Sequence, residues 1–296
     1  MIADLTQLYR PRAAAATPRM TVLDLHCHST ASDGMLTPEE LVDRAAQQHV
    51  DVLALTDHDT VAGLAEAATR ARSHGLTLVP GVEISVSWNS ATVHIVGLRL
   101  DPGHDGLLDG LARNRAGRED RARRMGEELA RIGIPGAFEG ARQRAANQEL
   151  ISRTHFARFL VDSGRVKDMK AVFRRFLIKG KPGYVTHQWA SLAESVQWIH
   201  AAGGQAVLAH PARYLMGKER LRLLITEFRE LGGEAIEVVS SSHTPAQVPV
   251  IADLAVEFGL LASAGSDFHA PGEGGRELGR MPAMPARCTP VWSTWT

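Results

Sequence analysis

Short apolar runs alternate with amphipathic segments in two stretches of the chain. In the first stretch, residues 21–100, each apolar run ends in polar residues: TVLDLH, DVLALTD, LTLVPGVEIS and TVHIVGL. The segments TPEELVDRAAQQ and TVAGLAEAATRARSHG have the spacing of helices. Thr37, Pro38 and Glu40 form a helix start, and Gly75 is a typical helix stop. This stretch therefore predicts four strands and two helices.

The alternation resumes after about residue 190. Three further apolar runs, QAVLAHP, AIEVVS and LLASAGSDFH, are separated by segments with helical spacing. Near-continuous apolar strands spaced by amphipathic helices predict an α/β fold with a parallel sheet covered by helices. Six or seven such units are compatible with a closed or nearly closed barrel.

Residues 101–186 interrupt this rhythm. They are rich in arginine, contain few strand-like runs and have mostly helical patterns. We therefore predict a helical insertion that caps one face of a barrel built from residues 21–100 and 187–285. Residues 1–20 are rich in alanine and arginine and lack the apolar core of a signal peptide, so we expect a poorly ordered extension.

Composition excludes several classes of protein. The 296 residues are 44% hydrophobic and 22% charged, as in ordinary soluble proteins. Basic and acidic residues are equal at 33 each, so no global field favours nucleic acid or membrane. No apolar run approaches the roughly 18 residues of a membrane span. Cys27 and Cys288 are isolated, which argues against a disulfide framework or zinc ribbon and predicts a reducing cytoplasm.

Six of the 13 histidines fall in or directly after apolar runs, close to carboxylates. His26 and His28 stand at i and i+2 of a predicted strand, so both side chains can reach one ion. Asp33 follows in a Ser-Asp-Gly turn, where a lone aspartate is more often only a turn former. His58 lies in TDHD, at the end of the next run.

The remaining candidates show the same placement. Glu83 and His94 are embedded in apolar runs, and a buried glutamate costs several kcal/mol unless it is paired or binds a cation. His210 follows another run, and Asp267 and His269 stand at i and i+2 on one face of the last predicted strand. Each alone is more often a hydrogen-bonded core residue. Together, at the carboxyl ends of strands, they predict a site.

Nine imidazole and carboxylate ligands without a thiolate suit manganese, zinc or iron. Nine ligands exceed the needs of one ion, so two or three ions are expected, and Glu83 can bridge two of them. Adjacent ions clamp a phosphate and lower the pKa of a bridging water. The residues thus predict a metal-dependent phosphoesterase.

The motifs HCHSTASDG, TDHDT, GVEIS, HIVG, AHP and GSDFHA resemble the polymerase-and-histidinol-phosphatase family of metal phosphoesterases, over residues 21–280. The resemblance implies a distorted (β/α)7 barrel of the PHP type that holds up to three ions, with Mn²⁺ as the expected metal. It also implies a metal-bridging hydroxide as nucleophile and leaves the proton donor open. The implied ligand sets are His26, His28, Glu83 and Asp267; Glu83, His94 and His210; and Asp33, His58 and His269.

Other segments resemble the nucleoside 3′,5′-bisphosphate phosphatases of this family: GREDRARRMG, ISRTHFARFLVDSG, GKPGYVTHQWAS and GSDFHAPGEGGRELG. That resemblance implies removal of the 3′-phosphate from substrates such as pAp to give the 5′-nucleotide. It also implies, as for some relatives, action on the 5′ ends of short RNA. Two alternatives remain: a histidinol-phosphate phosphatase, and a non-catalytic, metal-stabilised domain associated with nucleic-acid machinery.

Candidate substrate contacts come mainly from the insertion. Arg118 and Arg121, at i and i+3, share a predicted helix face and could hold a terminal phosphate, although a solvated arginine-rich helix would look the same. Arg153 and His155 are expected where the insertion meets the barrel mouth. Arg213 and Lys181 are weaker candidates. Three of the predicted metal ligands are also expected to contact the substrate: Asp33, His58 and His269.

Overall fold

Seven strands, paired in chain order, form one sheet in the part of the chain that the structure describes. The structure is a computed structural model that describes residues 21–214, 216–273 and 275–295, so the prediction for residues 1–20 lies outside it. The strands are β1 (Leu23–Cys27), β2 (Val52–Leu55), β3 (Thr77–Trp88), β4 (Ala91–Leu98), β5 (Gln205–Leu208), β6 (Ala235–Ser240) and β7 (Leu261–Gly265).

The end of β7 returns to the end of β1. The backbone N–H of Asp267 donates to the carbonyl of His26 (2.8 Å), and that of His28 donates to the carbonyl of Phe268 (2.9 Å). Gly265 permits this approach, because a Cβ built there would lie 2.3 Å from the Cβ of His26. The sheet is therefore nearly closed into a barrel, which confirms the predicted fold class.

One strand runs against the prediction of a parallel sheet. β4 is antiparallel to both β3 and β5, while the other neighbouring strands pair in parallel. The cause is the connection between β3 and β4, which has only two residues, Asn89 and Ser90, with φ of 42° and 62°. A two-residue turn of this hand makes a hairpin and leaves no room for a crossover helix. The parallel prediction is thus wrong at β4.

The predicted helix start at Thr37 and the predicted helix stop at Gly75 are both present in the structure. In α1, the Thr37 hydroxyl accepts from the Glu40 N–H (3.2 Å), and the Glu40 carboxylate accepts from the Thr37 N–H (2.9 Å). The helix α2 ends at Gly75, whose φ is 68°. The helices are α1 (Pro38–Gln47), α2 (Leu64–His74), α3 (Asp105–Ala116), α4 (Arg118–Arg131), α5 (Ala137–Arg144), α6 (Arg153–Asp162), α7 (Met169–Val172), α8 (Leu192–Ala201), α9 (Lys218–Glu230) and α10 (Gln247–Glu257).

The segment between β4 and α8 is mostly helical, as predicted. Its helices α4 to α7 share an apolar core that includes Met125, Phe156 and Leu177. The first helix of the segment behaves differently, because Leu107 and Leu111 of α3 belong to the barrel core. The division at residues 101 and 186 therefore stays a prediction. None of the described helices has the length and apolar character of a membrane span.

Candidate metal and substrate site

The nine predicted ligands meet at one end of the barrel. The Nε2 atoms of His26 and His28 lie 3.2 Å apart, and Asp267 Oδ1 lies 3.3 Å from His28 Nε2. Within the described residues, four groups of ligand atoms that lie within 4.8 Å of one another could hold an ion: His28, Asp33, His58 and His269; His26, Glu83 and His210; His26, His28 and Asp267; and His58, Glu83 and His94.

Glu83 occupies the centre of this arrangement. Its Oε1 lies 2.7 Å from His94 Nδ1 and 2.9 Å from His210 Nε2. Its Oε2 lies 2.8 Å from His58 Nδ1 and 3.4 Å from His28 Nε2. The residue is fully buried. A carboxylate whose two oxygens face different imidazoles has the geometry needed to bridge two cations.

Asp33 reaches the site from the turn after β1. Its Oδ1 lies 3.3 Å from His269 Nε2 and 3.9 Å from His58 Nε2. Its Oδ2 accepts a hydrogen bond from the Ser152 hydroxyl (2.8 Å) at the N-cap of α6. Arg158 of α6 donates to the Asp33 carbonyl (2.7 Å). The insertion therefore holds one of the predicted ligands in place.

Several buried ligand atoms in this cluster make no hydrogen bond; His58 Nδ1 and Glu83 Oε2 lie 2.8 Å apart, but not in the geometry of a hydrogen bond. Five such atoms are His28 Nδ1, Asp33 Oδ1, His58 Nδ1, Glu83 Oε2 and His210 Nδ1. Each unpaired buried polar atom costs about 1–3 kcal/mol, and such atoms are rare in folded proteins. Their concentration in one place, on imidazoles and carboxylates, fits ligands that divalent cations satisfy. The residues present therefore fit a metal centre.

The charge states of the carboxylates and of two histidines suit cation binding. Burial alone would raise the pKa of Glu83, but His94 and other histidines hold it well below its usual range. Burial would likewise raise the pKa of Asp33, but His269 and other histidines hold it well below its usual range. Burial lowers the pKa of His28 to about 3 and that of His94 to about 4. Burial would also lower the pKa of His26, His58 and His269, but neighbouring carboxylates raise it, to about 9 for His269. Ionised carboxylates and neutral imidazoles are the forms that bind metal ions, so a bound cation would displace protons from these three rings.

Two details of the predicted placement are wrong. β7 ends at Gly265, so Asp267 and His269 extend from the following loop and do not share a strand face. Glu83 does not end its strand either, because β3 continues to Trp88. β2 stops at Leu55, opposite Pro80, so Glu83 lies beyond the carboxyl end of its shorter neighbour.

Three of the seven described non-glycine residues with positive φ lie at this end. Asp59, His210 and Asp267 have φ of 49°, 29° and 53°, in the left-handed region that non-glycine residues rarely adopt. Such conformations cost about 1–3 kcal/mol each and persist where surrounding contacts hold them. Two of the three are predicted ligands. The strain therefore accompanies the placement of site side chains.

Glu237, on β6, is a site residue that the sequence analysis missed. Its Oε1 accepts from His26 Nδ1 (2.6 Å), and its Oε2 accepts from the backbone N–H of His210 (2.6 Å). It is 1% exposed. A carboxylate on one ring nitrogen leaves the other free to bind a metal and fixes the tautomer. The available signal, a glutamate inside the apolar run AIEVVS, was the one that identified Glu83.

The predicted phosphate contact Arg118 is largely committed to the protein. Its Nη2 forms an ion pair with Asp59 Oδ2 and donates to Ser85 Oγ (2.9 Å). Asp59 is fully buried and also accepts from the Ser85 N–H (2.8 Å) and Asn114 Nδ2 (3.0 Å). Burial would raise the pKa of Asp59, but Arg118 lowers it. This second missed carboxylate thus fixes Arg118 in the wall of the site.

A cavity of about 50 Å³ opens above the predicted ligands. Its lining combines imidazoles and a carboxylate with guanidinium groups and aromatic rings. The predicted ligands that line it are Asp33, His58, His94 and His269, and the other lining residues include Arg118, Arg121, Arg153, Arg213, Phe173 and Trp189.

Arg121 and Arg153 differ from Arg118 because, among the described residues, neither side chain has a hydrogen bond or an ion pair. The Arg121 guanidinium lies 5.3 Å from the Trp189 ring centroid, and the residue is 6% exposed. Burial and the Arg153 charge lower the pKa of Arg121 well below its usual value. Burial and Arg213 lower the pKa of Arg153 to about 10. Crowded cations without counter-charges are what an anion site provides.

His155 does not join the cavity wall. Its Nδ1 accepts from the Ser152 N–H (3.0 Å) and completes the capping box of α6. The side chain is 1% exposed, and burial lowers its pKa to about 4. Of the weaker candidates, Lys181 is exposed on the insertion, and Arg213 lies 3.1 Å from Asp267 Oδ2.

Known proteins resemble this chain over most of its length. The family model described as PHP domain matches residues 24–230. The chain is 55% identical to the 3′,5′-nucleoside bisphosphate phosphatase of Chromobacterium violaceum, covering 92% of this chain and 96% of that protein. It is 45% identical to the 5′-3′ exoribonuclease Rnm of Escherichia coli, covering 93% and 94%.

Solved structures agree with these matches. An amidohydrolase from Chromobacterium violaceum, solved with sulfate and without metal, has a TM-score of 0.90 and 53% identity over 92% of this chain and 95% of its own. A protein of Bifidobacterium adolescentis, described as a candidate metal-dependent phosphoesterase, has a TM-score of 0.77 and 28% identity, covering 93% and 94%. The barrel and the insertion are therefore shared with these relatives.

Proposed function

This chain belongs to the PHP domain family, and from that premise we propose that it removes the 3′-phosphate of nucleoside 3′,5′-bisphosphates such as pAp, giving the 5′-nucleotide. The broader activity, hydrolysis of phosphoesters, follows from the relatives. The observation that carries the narrower proposal is the mixed lining of the cavity. Predicted metal ligands line it together with Arg121 and Arg153, which are unpaired among the described residues.

The proposed cofactors are two or three divalent ions, with Mn²⁺ expected and Zn²⁺ or Fe²⁺ as alternatives. Bound there, such ions supply charge neutralisation at phosphate oxygens and a water of lowered pKa. The proposed sets are His26, His28, Glu83 and Asp267; Glu83, His94 and His210; and Asp33, His58 and His269. The observed clusters support the first and third sets, since His26 and His28 lie with Asp267, and Asp33 and His58 lie with His269. The second set differs, because His210 lies with His26 and Glu83, whereas His94 lies with His58 and Glu83.

The protein side chains bind and orient the substrate. Arg121 and Arg153 would hold the 5′-phosphate by charge-assisted hydrogen bonds. The 3′-phosphate would lie against Asp33, His58 and His269, which also line the cavity, with the Arg213 charge near Asp267. Two anchor points fix the direction of the substrate, so the phosphate held by the arginines stays away from the reacting position.

A second candidate activity is hydrolysis at the 5′ ends of short RNA. The identity to the exoribonucleases of Escherichia coli and Salmonella typhimurium favours it. The same two arginines would then hold a 5′-phosphate that belongs to an oligonucleotide. Histidinol phosphate, in contrast, offers no second phosphate for them to bind.

A substrate comparison tests the proposal. The metal-loaded protein should have its highest kcat/KM on pAp, compared with p-nitrophenyl phosphate, histidinol phosphate and 5′-phosphorylated RNA, and a chelator should abolish turnover. A preference for histidinol phosphate would refute the bisphosphate assignment. Failure to hydrolyse any of these esters with Mn²⁺, Zn²⁺ or Fe²⁺ would refute phosphoester hydrolysis itself.

A further inference from the structure

One short part of the insertion concentrates positive charge on the surface. Residues 165–181 span α7 and the π-helical turn Phe173–Leu177, and carry seven exposed basic side chains but a single acidic one, Asp168. The whole chain, in contrast, has equal numbers of basic and acidic residues. We call this set the basic strip: Arg165, Lys167, Lys170, Arg174, Arg175, Lys179 and Lys181.

The charges of the basic strip are largely unneutralised. Among the described residues, no hydrogen bond or ion pair involves the side chain of Lys170, Arg174 or Lys181. An ordinary solvated arginine-rich face has a different pattern, which α4 of the same insertion displays. There Arg123 pairs with Glu119 at 2.6 Å, and neighbouring arginines are interleaved with acids in the same way. The basic strip lacks such interleaving.

The basic strip adjoins the cavity. Phe173, which directly precedes Arg174 of the strip, lines the cavity. The Lys179 ammonium donates to the Ser90 carbonyl (2.8 Å), two residues before Thr92, which also lines the wall. At the same hairpin turn, the exposed Arg220 donates to the Asn89 carbonyl. Cationic surface therefore continues outward from the place where the arginines of the cavity end.

We propose that the basic strip binds the sugar–phosphate backbone of a single-stranded RNA whose 5′ end occupies the cavity. This inference rests on the proposed function, because it requires the cavity to accept a 5′-phosphate. Phe176, which lies under the Arg175 guanidinium (5.0 Å to its centroid), adds an aromatic ring for base contacts.

The expected signature is salt dependence. For single strands, each neutralised phosphate contributes about −0.7 to the slope of log K against log salt. Three contacts would give a slope of about −2, which weakens binding roughly twentyfold between about 50 and 200 mM salt. Loss of two contacts should make the slope less steep by about 1.4.

The test uses the metal-loaded protein and a labelled, 5′-phosphorylated 2′-O-methyl phosphorothioate RNA of about 12 nucleotides, within the site sizes of single-strand binders. Fluorescence anisotropy gives the affinity across a salt series. The strip variant is Arg174→Gln/Lys181→Gln. The matched control is Arg72→Gln/Arg229→Gln, since these exposed residues lie in the last turns of α2 and α9, which lead into the opposite ends of the strands.

The strip variant should have the shallower slope, and the control should match the wild type. Both variants should retain wild-type kcat/KM on pAp, because neither touches the cavity. Equal slopes for the strip variant and the control would overturn the proposal. Wild-type protein that binds RNA through the strip but does not hydrolyse pAp would instead refute the bisphosphate assignment and leave the RNA surface standing.

Discussion

Arg121 and Arg118 stand one helical turn apart, yet their replacement by glutamine should have different consequences. Arg121 is unpaired among the described residues and lines the cavity, so its loss removes one charge-assisted contact with a 5′-phosphate. Such a contact is worth about 1.5–3 kcal/mol, so kcat/KM on pAp should fall roughly ten- to a hundredfold. p-Nitrophenyl phosphate has no second phosphate, and its kcat/KM should stay within about twofold.

Arg118→Gln serves as the contrast. It leaves the fully buried Asp59 with hydrogen bonds from Ser85 and Asn114 but without its cation. Breaking a buried ion pair in this way costs about 3–5 kcal/mol. The free energy of unfolding should therefore drop, and both substrates should lose activity. Arg121→Gln should not destabilise the protein, because Arg121 is buried beside Arg118 and Arg153 without a counter-charge.

The assay combines steady-state kinetics on the two esters with urea unfolding of each metal-loaded variant. Equal losses on both esters for Arg121→Gln would refute the anchoring role and indicate that this arginine supports the structure. A stable Arg118→Gln protein with a loss confined to pAp would refute the separation drawn between the two arginines.

Two other replacements test the contacts behind the site. Glu237→Gln weakens the partner that orients His26, and should lower metal affinity about ten- to a hundredfold in a chelator competition. The control Glu230→Gln, at an exposed position, should leave metal affinity unchanged. Equal metal affinities for the two variants would contradict the orienting role of Glu237. His155→Gln keeps an acceptor for the Ser152 N–H but cannot be protonated. Burial lowers the pKa of His155 from 6.5 to about 4. The contribution of neutral His155 to the free energy of unfolding is thus complete above pH 6.5 and is lost as the pH falls. Between pH 6.5 and 5 the free energy of unfolding of the wild type should therefore fall by about 2 kcal/mol relative to that of the variant. A pH-independent difference in unfolding free energy would contradict this account.

The meeting of the nine predicted ligands at one end of the barrel was predictable because most of them carry a local signal. Glu83 and His94 interrupt apolar runs, and His26 and His28 have strand spacing at the end of another run. Polar side chains placed in this way have few low-energy alternatives to a shared site. The helix limits at Thr37 and Gly75 were equally local, and the structure has both.

Features that depend on distant partners were not predictable. The direction of β4 depends on the two-residue turn at Asn89, which interrupts a pattern otherwise typical of parallel strands. The positions of Arg118 and Arg121 on one helix face do not tell the two residues apart. Only Asp59, far away in sequence, distinguishes Arg118, which forms an ion pair with it, from the unpaired Arg121. His155 carries the signature of a site histidine, but its partner is the N–H of its own helix cap.

The regiochemistry of pAp hydrolysis tests the central claim most directly. If Arg121 and Arg153 hold the 5′-phosphate while the predicted ligands that line the cavity position the 3′-phosphate, phosphorus NMR of the reaction should detect 5′-AMP and inorganic phosphate, with little 3′-AMP. Free 3′-AMP, which lacks the anchored group, should be a poor substrate in the same assay. A mixture of the two monophosphates, or 3′-AMP as the main product, would contradict the assignment.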